Sequence, residues 1–164
     1  MKTHSQEEID RINKVKETND KLETFFNDKR ADWNKNIEPL FKVLNVDLTN
    51  PSNSKEIFNA QALALSHRQQ IYEQINYFLN KRSRETIKVK NIRQEKFIFY
   101  ATGFGIKTNM GEKGILIDAH LAENDRSIEI IDSYIDFLRD SIKNLESFSY
   151  SVKNMIELIN YLSK

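Results

Sequence analysis

The chain has 164 residues, 39% of them hydrophobic and 30% charged, which favours one compact domain or a small domain with helical extensions over a disordered tail. It contains no cysteine, which excludes disulfides and thiolate metal sites, and no apolar run approaches the roughly 18 residues of a membrane span. The net charge of +1 does not by itself predict nucleic-acid binding, and the totals together favour a cytoplasmic protein that is neither exported nor embedded in a membrane.

Helical periodicity begins close to the N-terminus. Ser5 and Glu8 form a capping-box pattern, and apolar residues continue at helical spacing to about residue 30 and then as far as Leu44. The turn cluster DLTNPSNS, around Pro51, ends this pattern. We therefore predict an N-terminal helical region over residues 1–50.

A second long helix is predicted from Ser54, a plausible N-cap, to about residue 99. Apolar residues recur along it at helical spacing, but the stretch TIKVKNI alternates apolar and basic residues as a strand would. Residues 86–100 are thus open between helix and strand. The absence of a turn signal before them favours helix.

The segment KRSRETIKVKNIRQEK, residues 81–96, has the most uneven charge in the chain. It holds seven basic and two acidic side chains, so its net +5 leaves −4 for the rest of a chain whose net charge is +1. Cations beside aromatic rings are the two components of single-strand binding without sequence preference. The alternative is that these cations lie on a solvated face or pair with acids of a neighbouring helix. The candidate nucleic-acid-binding residues are Lys81, Arg82, Arg84, Lys88, Lys90, Arg93, Lys96, Phe99 and Tyr100.

All four glycines lie between residues 103 and 114 and predict a Gly-rich loop over residues 101–124. The stretch FIFYATGFGIKTN looks like a phosphate-binding loop, but Ile106 stands where the motif G-x-x-x-x-G-K-[ST] requires its second glycine. Nucleotide hydrolysis is therefore not predicted.

No metal, cofactor or catalytic site is predicted elsewhere in the sequence. A group formed by Asp118, His120, Glu123 and Asp125 is better explained as solvated side chains at a helix start than as metal ligands. The remaining histidines have no acid or nucleophile at a useful spacing. We therefore predict a protein that is not an enzyme.

The strongest periodic signal is C-terminal and predicts a coiled-coil-like helix over residues 125–162. From Ile128 to Ile159 the spacing alternates between three and four residues, and only Ser149 breaks the apolar series. Its partner is either the N-terminal helices of the same chain or a sister subunit. Self-association is favoured, because a short chain has few elements to cover so long a helix. The predicted oligomerisation residues are Ile131, Ile135, Leu138, Ile142, Leu145, Val152, Ile156 and Ile159.

From about residue 66 onward, the chain holds a succession of short motifs: FLNK at 78–81, the basic helix after it, YATG at 100–103, IDFLRDSIK at 135–143 and YSVKN at 150–154. In this order they resemble the UvsY family, the recombination mediators of T-even-type phages. The family tends to place a Lys-x-Arg pair, implicated in DNA binding, just before its tyrosines. Glu95 and Phe97 occupy those places here, so Arg93 and Lys96 are the nearest substitutes.

The resemblance implies an all-α, non-enzymatic protein that binds single-stranded DNA. It further implies a ring-like homo-oligomer of hexamer or heptamer scale, formed through the C-terminal helix. Such a ring would load a RecA-like recombinase onto strands coated by a single-strand-binding protein, in the host cytoplasm if the protein is phage-encoded. Residues 54–164, with the basic helix at 54–99, would form the mediator domain, and residues 1 to about 60 lie outside the resemblance. The alternative is a helical scaffold or adaptor that binds acidic protein partners.

Overall fold

The computed structural model describes residues 4–47, 50, 53–102 and 109–162, and the regular elements among them are all helical. Helix α1 spans His4–Lys42, and a short 3₁₀ helix, Val43–Asn45, follows it. Helix α2 spans Asn53–Thr102 and helix α3 spans Met110–Leu162. The predicted all-α class is therefore confirmed for the described residues. None of the described helices holds a stretch apolar enough to cross a membrane.

The ambiguous stretch within residues 86–100 is helical. Val89 and Ile92, three residues apart, are both buried, whereas Ile87 is 57% exposed. A strand would have placed Ile87 and Val89 on the same face, since side chains alternate with a period of two. The burial pattern therefore follows the helical period, because α2 packs only one face against its neighbours.

Helix α3 begins at Met110, which corrects the predicted Gly-rich loop over residues 101–124. The side chain of Asn109 accepts a hydrogen bond from the Glu112 N–H at 2.8 Å, and the Glu112 carboxylate accepts one from the Asn109 N–H at 3.1 Å. This reciprocal pair is a capping box, which supplies partners to backbone groups that a helix start leaves unpaired. Gly111 and Gly114 lie inside the helix; the other two glycines fall outside the described residues.

The chain divides into two compact units, and every long helix contributes a segment to each. Unit 1 comprises Met1–Phe26 and Phe78–Tyr134, and unit 2 comprises Asn27–Tyr77 and Ile135–Lys164. The predicted boundary near residue 50 does not coincide with this division, because α1 packs as part of both units instead of forming a separate region.

Unit 1 is held together by three aromatic rings, one from each helix. The Phe26 ring stacks on Tyr134 with centroids 4.1 Å apart, and its edge contacts Phe78 at 5.1 Å. The Phe78 and Tyr134 rings meet edge to face at 5.2 Å. Further along the unit, Glu8 lies beside Lys96 and His120. The segment of α2 therefore runs antiparallel to those of α1 and α3.

The apolar seam of α3 is buried by the chain's own helices. Six of the predicted oligomerisation side chains are covered within a single chain, so contact with a second copy through them would require the helices to separate; self-association stays a prediction. The physical reason for the covering is that α1 and α2, with 39 and 50 residues, are long enough to cover α3. Ile156 stays 39% exposed and Ile159 is half-buried. The six buried members of the predicted oligomerisation set are Ile131, Ile135, Leu138, Ile142, Leu145 and Val152.

Candidate nucleic-acid interface

The seven cations of residues 81–96 all lie on α2 within unit 1, and the helical period points them in different directions. Two of them face α3, where Arg82 forms an ion pair with Asp132 and Arg93 with Asp118, the latter at 2.8 Å. Such exposed pairs contribute only about 0–1 kcal/mol to stability, but they partly neutralise the two guanidinium groups. For these two residues the structure shows the alternative interpretation, pairing with acids of a neighbouring helix.

Lys96 and Tyr100 point towards the interior of unit 1. Lys96 forms an ion pair with Glu8 of α1, and burial lowers the pKa of its ammonium group. The Tyr100 hydroxyl shares a hydrogen bond of 2.8 Å with Nε2 of His120, and its ring packs against a buried aliphatic cluster that includes Leu121. In this arrangement the Tyr100 ring is packed inside unit 1, so its predicted stacking on a base would require the ring to leave these contacts.

Among the aromatic side chains of α2 that follow the basic segment, Phe97 is the most exposed, at 47%. Phe99 is half-buried and its ring meets that of Tyr100 edge to face at 5.4 Å. The ammonium group of Lys96 lies 5.8 Å from the Phe99 ring centroid, within reach of a cation–π contact. Phe97 is thus better placed than Phe99 or Tyr100 to stack on a base.

The His120 side chain makes the stability of unit 1 sensitive to pH. Burial, and next the charge of Lys96, lowers the pKa of His120 below its ordinary value of 6.5. Its ring also faces Tyr100 and, at 3.5 Å from Nδ1, the Glu8 carboxylate that pairs with Lys96. Below pH 6.5 the unfolded chain therefore binds a proton at this site more readily than the folded chain does.

We expect the free energy of unfolding to fall more steeply between pH 7 and pH 5 in the wild type than in His120→Gln, which cannot bind this proton. Urea titrations at several pH values measure the difference, because the two proteins share every titratable side chain except His120. Parallel curves for the two proteins would show that His120 is not the titrating group.

Three of the seven cations form no ion pair with the residues that the structure describes. Arg84 and Lys90 are exposed, and Lys81 is half-buried at the side of α2 that faces α1. Lys88 lies on that same side and reaches only Glu85 of its own helix, at 3.4 Å. The uncompensated charge of the basic segment is therefore concentrated on its solvent-facing and α1-facing sides.

Across from Lys81 and Lys88, α1 presents basic side chains that the sequence interpretation missed. Arg11, Lys14 and Lys21 line the same cavity, which has a volume of about 580 Å³. They are scattered among acidic residues and form no charge run, so composition gives no sign of them. Their spacing of three and seven residues, which places them on one helix face, was the available signal.

A buried polar network fixes α1 against α3 beneath this cavity. The Asn19 amide donates to the Glu123 backbone carbonyl at 2.7 Å and to the Glu123 carboxylate at 3.1 Å. The Ser127 hydroxyl donates to the Asn19 side-chain oxygen at 2.6 Å. Because a buried amide left without partners would cost about 1–3 kcal/mol, this network sets the register of α1 and hence the direction of its cations.

The acidic group near the start of α3 is engaged in these structural contacts. Asp118 pairs with Arg93, His120 contacts Tyr100, and Glu123 holds Asn19. Over the described ranges, no three histidine or carboxylate side chains converge in a way that could hold a metal ion.

Comparison of the chain with family models, with curated proteins and with solved structures found no match. The resemblance to the UvsY family therefore stays a prediction that rests on the motifs themselves.

Proposed function

We propose that this protein is a non-enzymatic recombination mediator, which binds single-stranded DNA and promotes loading of a RecA-like recombinase onto strands coated by single-strand-binding protein. The observation that carries the proposal is that three cations of α2, Lys81, Arg84 and Lys90, form no ion pair with the described residues, and that Phe97, further along the same helix, has an exposed ring. Cations neutralise phosphates and an aromatic face stacks on a base, so together they suit a single strand. The further inference that the protein loads a recombinase is supported by the succession of motifs that resembles the UvsY family.

In this role the protein would assist an exchange of partners on the strand. A recombinase nucleates poorly on DNA that another protein already coats, and several linked basic surfaces gain avidity because the second contact is intramolecular. The ring-like assembly that the resemblance implies would need residues outside the buried seam. The end of α3 offers Ile156, Leu158 and Tyr161, which are exposed in the single chain.

An adaptor that binds acidic proteins is the second candidate. It is favoured by Arg82 and Arg93, which already bind carboxylates of α3 in the folded chain. Such carboxylate contacts show what these guanidinium groups would offer to an acidic partner.

Titration of a fluorescent single-stranded oligonucleotide tests the proposal. We expect binding whose log K falls with log salt by about 0.7 for each phosphate contact, hence a slope of about −2 for three contacts. We also expect Arg84→Glu combined with Lys90→Glu to weaken binding strongly, because two phosphate contacts become repulsions. Lys35→Glu combined with Lys55→Glu, an equal charge change in unit 2, should have a smaller effect.

Three outcomes would count against the proposal. Absence of oligonucleotide binding at low salt would favour the adaptor, and binding that ignores salt would exclude phosphate contacts as its basis. Oligonucleotide binding without any stimulation of a RecA-like recombinase on coated strands would leave a single-strand-binding protein and remove the mediator role.

A further inference from the structure

The cavity between α1 and α2 in unit 1 has cations on both walls. α1 contributes three basic side chains and α2 contributes two, against a single carboxylate. The four cations other than Lys88 form no ion pair within the described part of the chain. Because like charges that face each other across a gap repel, the empty groove is electrostatically unfavourable and a bound anion would relieve it. The charged lining residues are Arg11, Lys14, Lys21, Lys81, Lys88 and Glu85.

We infer that this groove binds a single strand of nucleic acid, with phosphates on the two basic walls and an unstacked base against its floor. The inference rests on the proposed function and adds a binding wall from α1. That wall lies in the N-terminal part of the chain, outside the stretch on which the resemblance to mediators depends.

The cations on α1 are arranged along a line. Arg11 and Lys21 are ten residues apart, which in an α-helix corresponds to a distance of about 15 Å. Lys14 lies between them on the same face, and Lys81 and Lys88 lie one above the other on α2. A line of charge suits an extended polyanion better than a single phosphate group, because only a chain of phosphates reaches every cation.

The floor of the groove offers apolar contacts for a base. The partly exposed side chains of Val15 and Leu22 of α1 line it, and the neighbouring Phe25 ring is 48% exposed. Its volume of about 580 Å³ is in the range of small-molecule sites. Such a space admits an unstacked base, whereas a paired duplex keeps its bases stacked inside and presents only its backbone.

Two acidic side chains of α1 are bound by α3 and form no ion pair with the groove cations. Asp20 and Glu23 point towards α3 and bind Arg126 at 3.0 and 2.9 Å. These two carboxylates therefore lie on the α3 side of α1, whereas Arg11, Lys14 and Lys21 line the groove that α1 forms with α2. Positive charge is therefore concentrated on the basic segment of α2 and on the facing side of α1. A single strand of nucleic acid in the groove would contact both.

The test is oligonucleotide binding by the full chain carrying Lys14→Glu and Lys21→Glu. Both side chains are exposed, so the helices should stay intact, which circular dichroism checks. We expect the Kd for a single-stranded oligonucleotide to rise at least roughly tenfold and the salt slope to shrink by about 1.4, the value for two lost phosphate contacts. The matched control is Lys16→Glu with Lys35→Glu, which changes the net charge equally at positions outside the groove lining.

The outcomes separate the groove from the proposed function. If the wild type binds the oligonucleotide and both double variants bind it equally well, the groove is wrong while the proposed function stands. If the wild type binds no oligonucleotide, both fail. A poly-glutamate peptide that displaces the oligonucleotide at equal charge concentration would assign the groove to acidic proteins and overturn the single-strand inference.

Discussion

Replacing Phe26 with alanine is expected to lower the free energy of unfolding by about 3–5 kcal/mol. The Phe26 side chain is only 1% exposed and its ring contacts Phe78 and Tyr134. Truncation removes the apolar surface that this ring buries and leaves a cavity between three helices. Since a domain of this size is stable by about 5–15 kcal/mol, the loss is a large share of the total. Urea titration followed by circular dichroism measures it.

Phe25→Ala is the matched control for this prediction. It removes the same side chain from the next position of the same helix, but Phe25 is 48% exposed. Because about half of its surface stays in water on folding, we expect a loss of only about 1 kcal/mol. Equal losses for the two variants would contradict the packing of the aromatic cluster in unit 1.

Combining Leu138→Asn with Ile142→Asn is expected to unfold unit 2. Both side chains are buried. Each change deletes apolar volume at a cost of about 2–5 kcal/mol and buries an amide that lacks partners, for about 1–3 kcal/mol more. The two residues share a helix face, so the costs of the two substitutions need not add. Even the cost of one substitution approaches the free energy of unfolding of a domain. The expected observation is loss of helical circular dichroism.

This prediction separates the two interpretations of the α3 seam. If the seam were an interface between subunits, the double variant would keep its helix content and only its mass in light scattering would fall. The control is Ile156→Asn with Leu158→Asn, where the side chains are 39% and 49% exposed. We expect this control to retain its helix content, and a drop in its mass would assign self-association to the end of α3.

The start of α3 at Met110 can be predicted from the sequence, although a Gly-rich loop was expected there. The glycines between residues 103 and 114 favoured a loop, yet Asn109 and Glu112 have the spacing of a capping box. This capping signal is local, and its stabilisation of the helix start outweighs the low helix propensity of Gly111 and Gly114. Nothing beyond the sequence was needed to place the helix start there.

The candidate interface could be predicted only in outline. The excess of positive charge on residues 81–96 is visible in the sequence, but whether each cation is paired depends on residues far away in the chain. Arg93 meets Asp118, and Lys96 meets Glu8, 88 positions earlier. The spacing of Arg11 and Lys14 places them on one face of α1, but only the fold shows that this face meets the basic segment of α2.

The sequence by itself determined that the protein is built from long helices and which face of α3 is apolar, because both follow from a period that repeats every few residues. The tertiary structure alone decided what covers that face, namely α1 and α2 of the same chain, and which cations stay unpaired. Packing and ion pairing join residues that are distant in sequence, and their energies depend on burial and separation. A local pattern therefore specifies the surfaces of each helix, whereas the fold decides which surface meets another helix and which is left for a ligand.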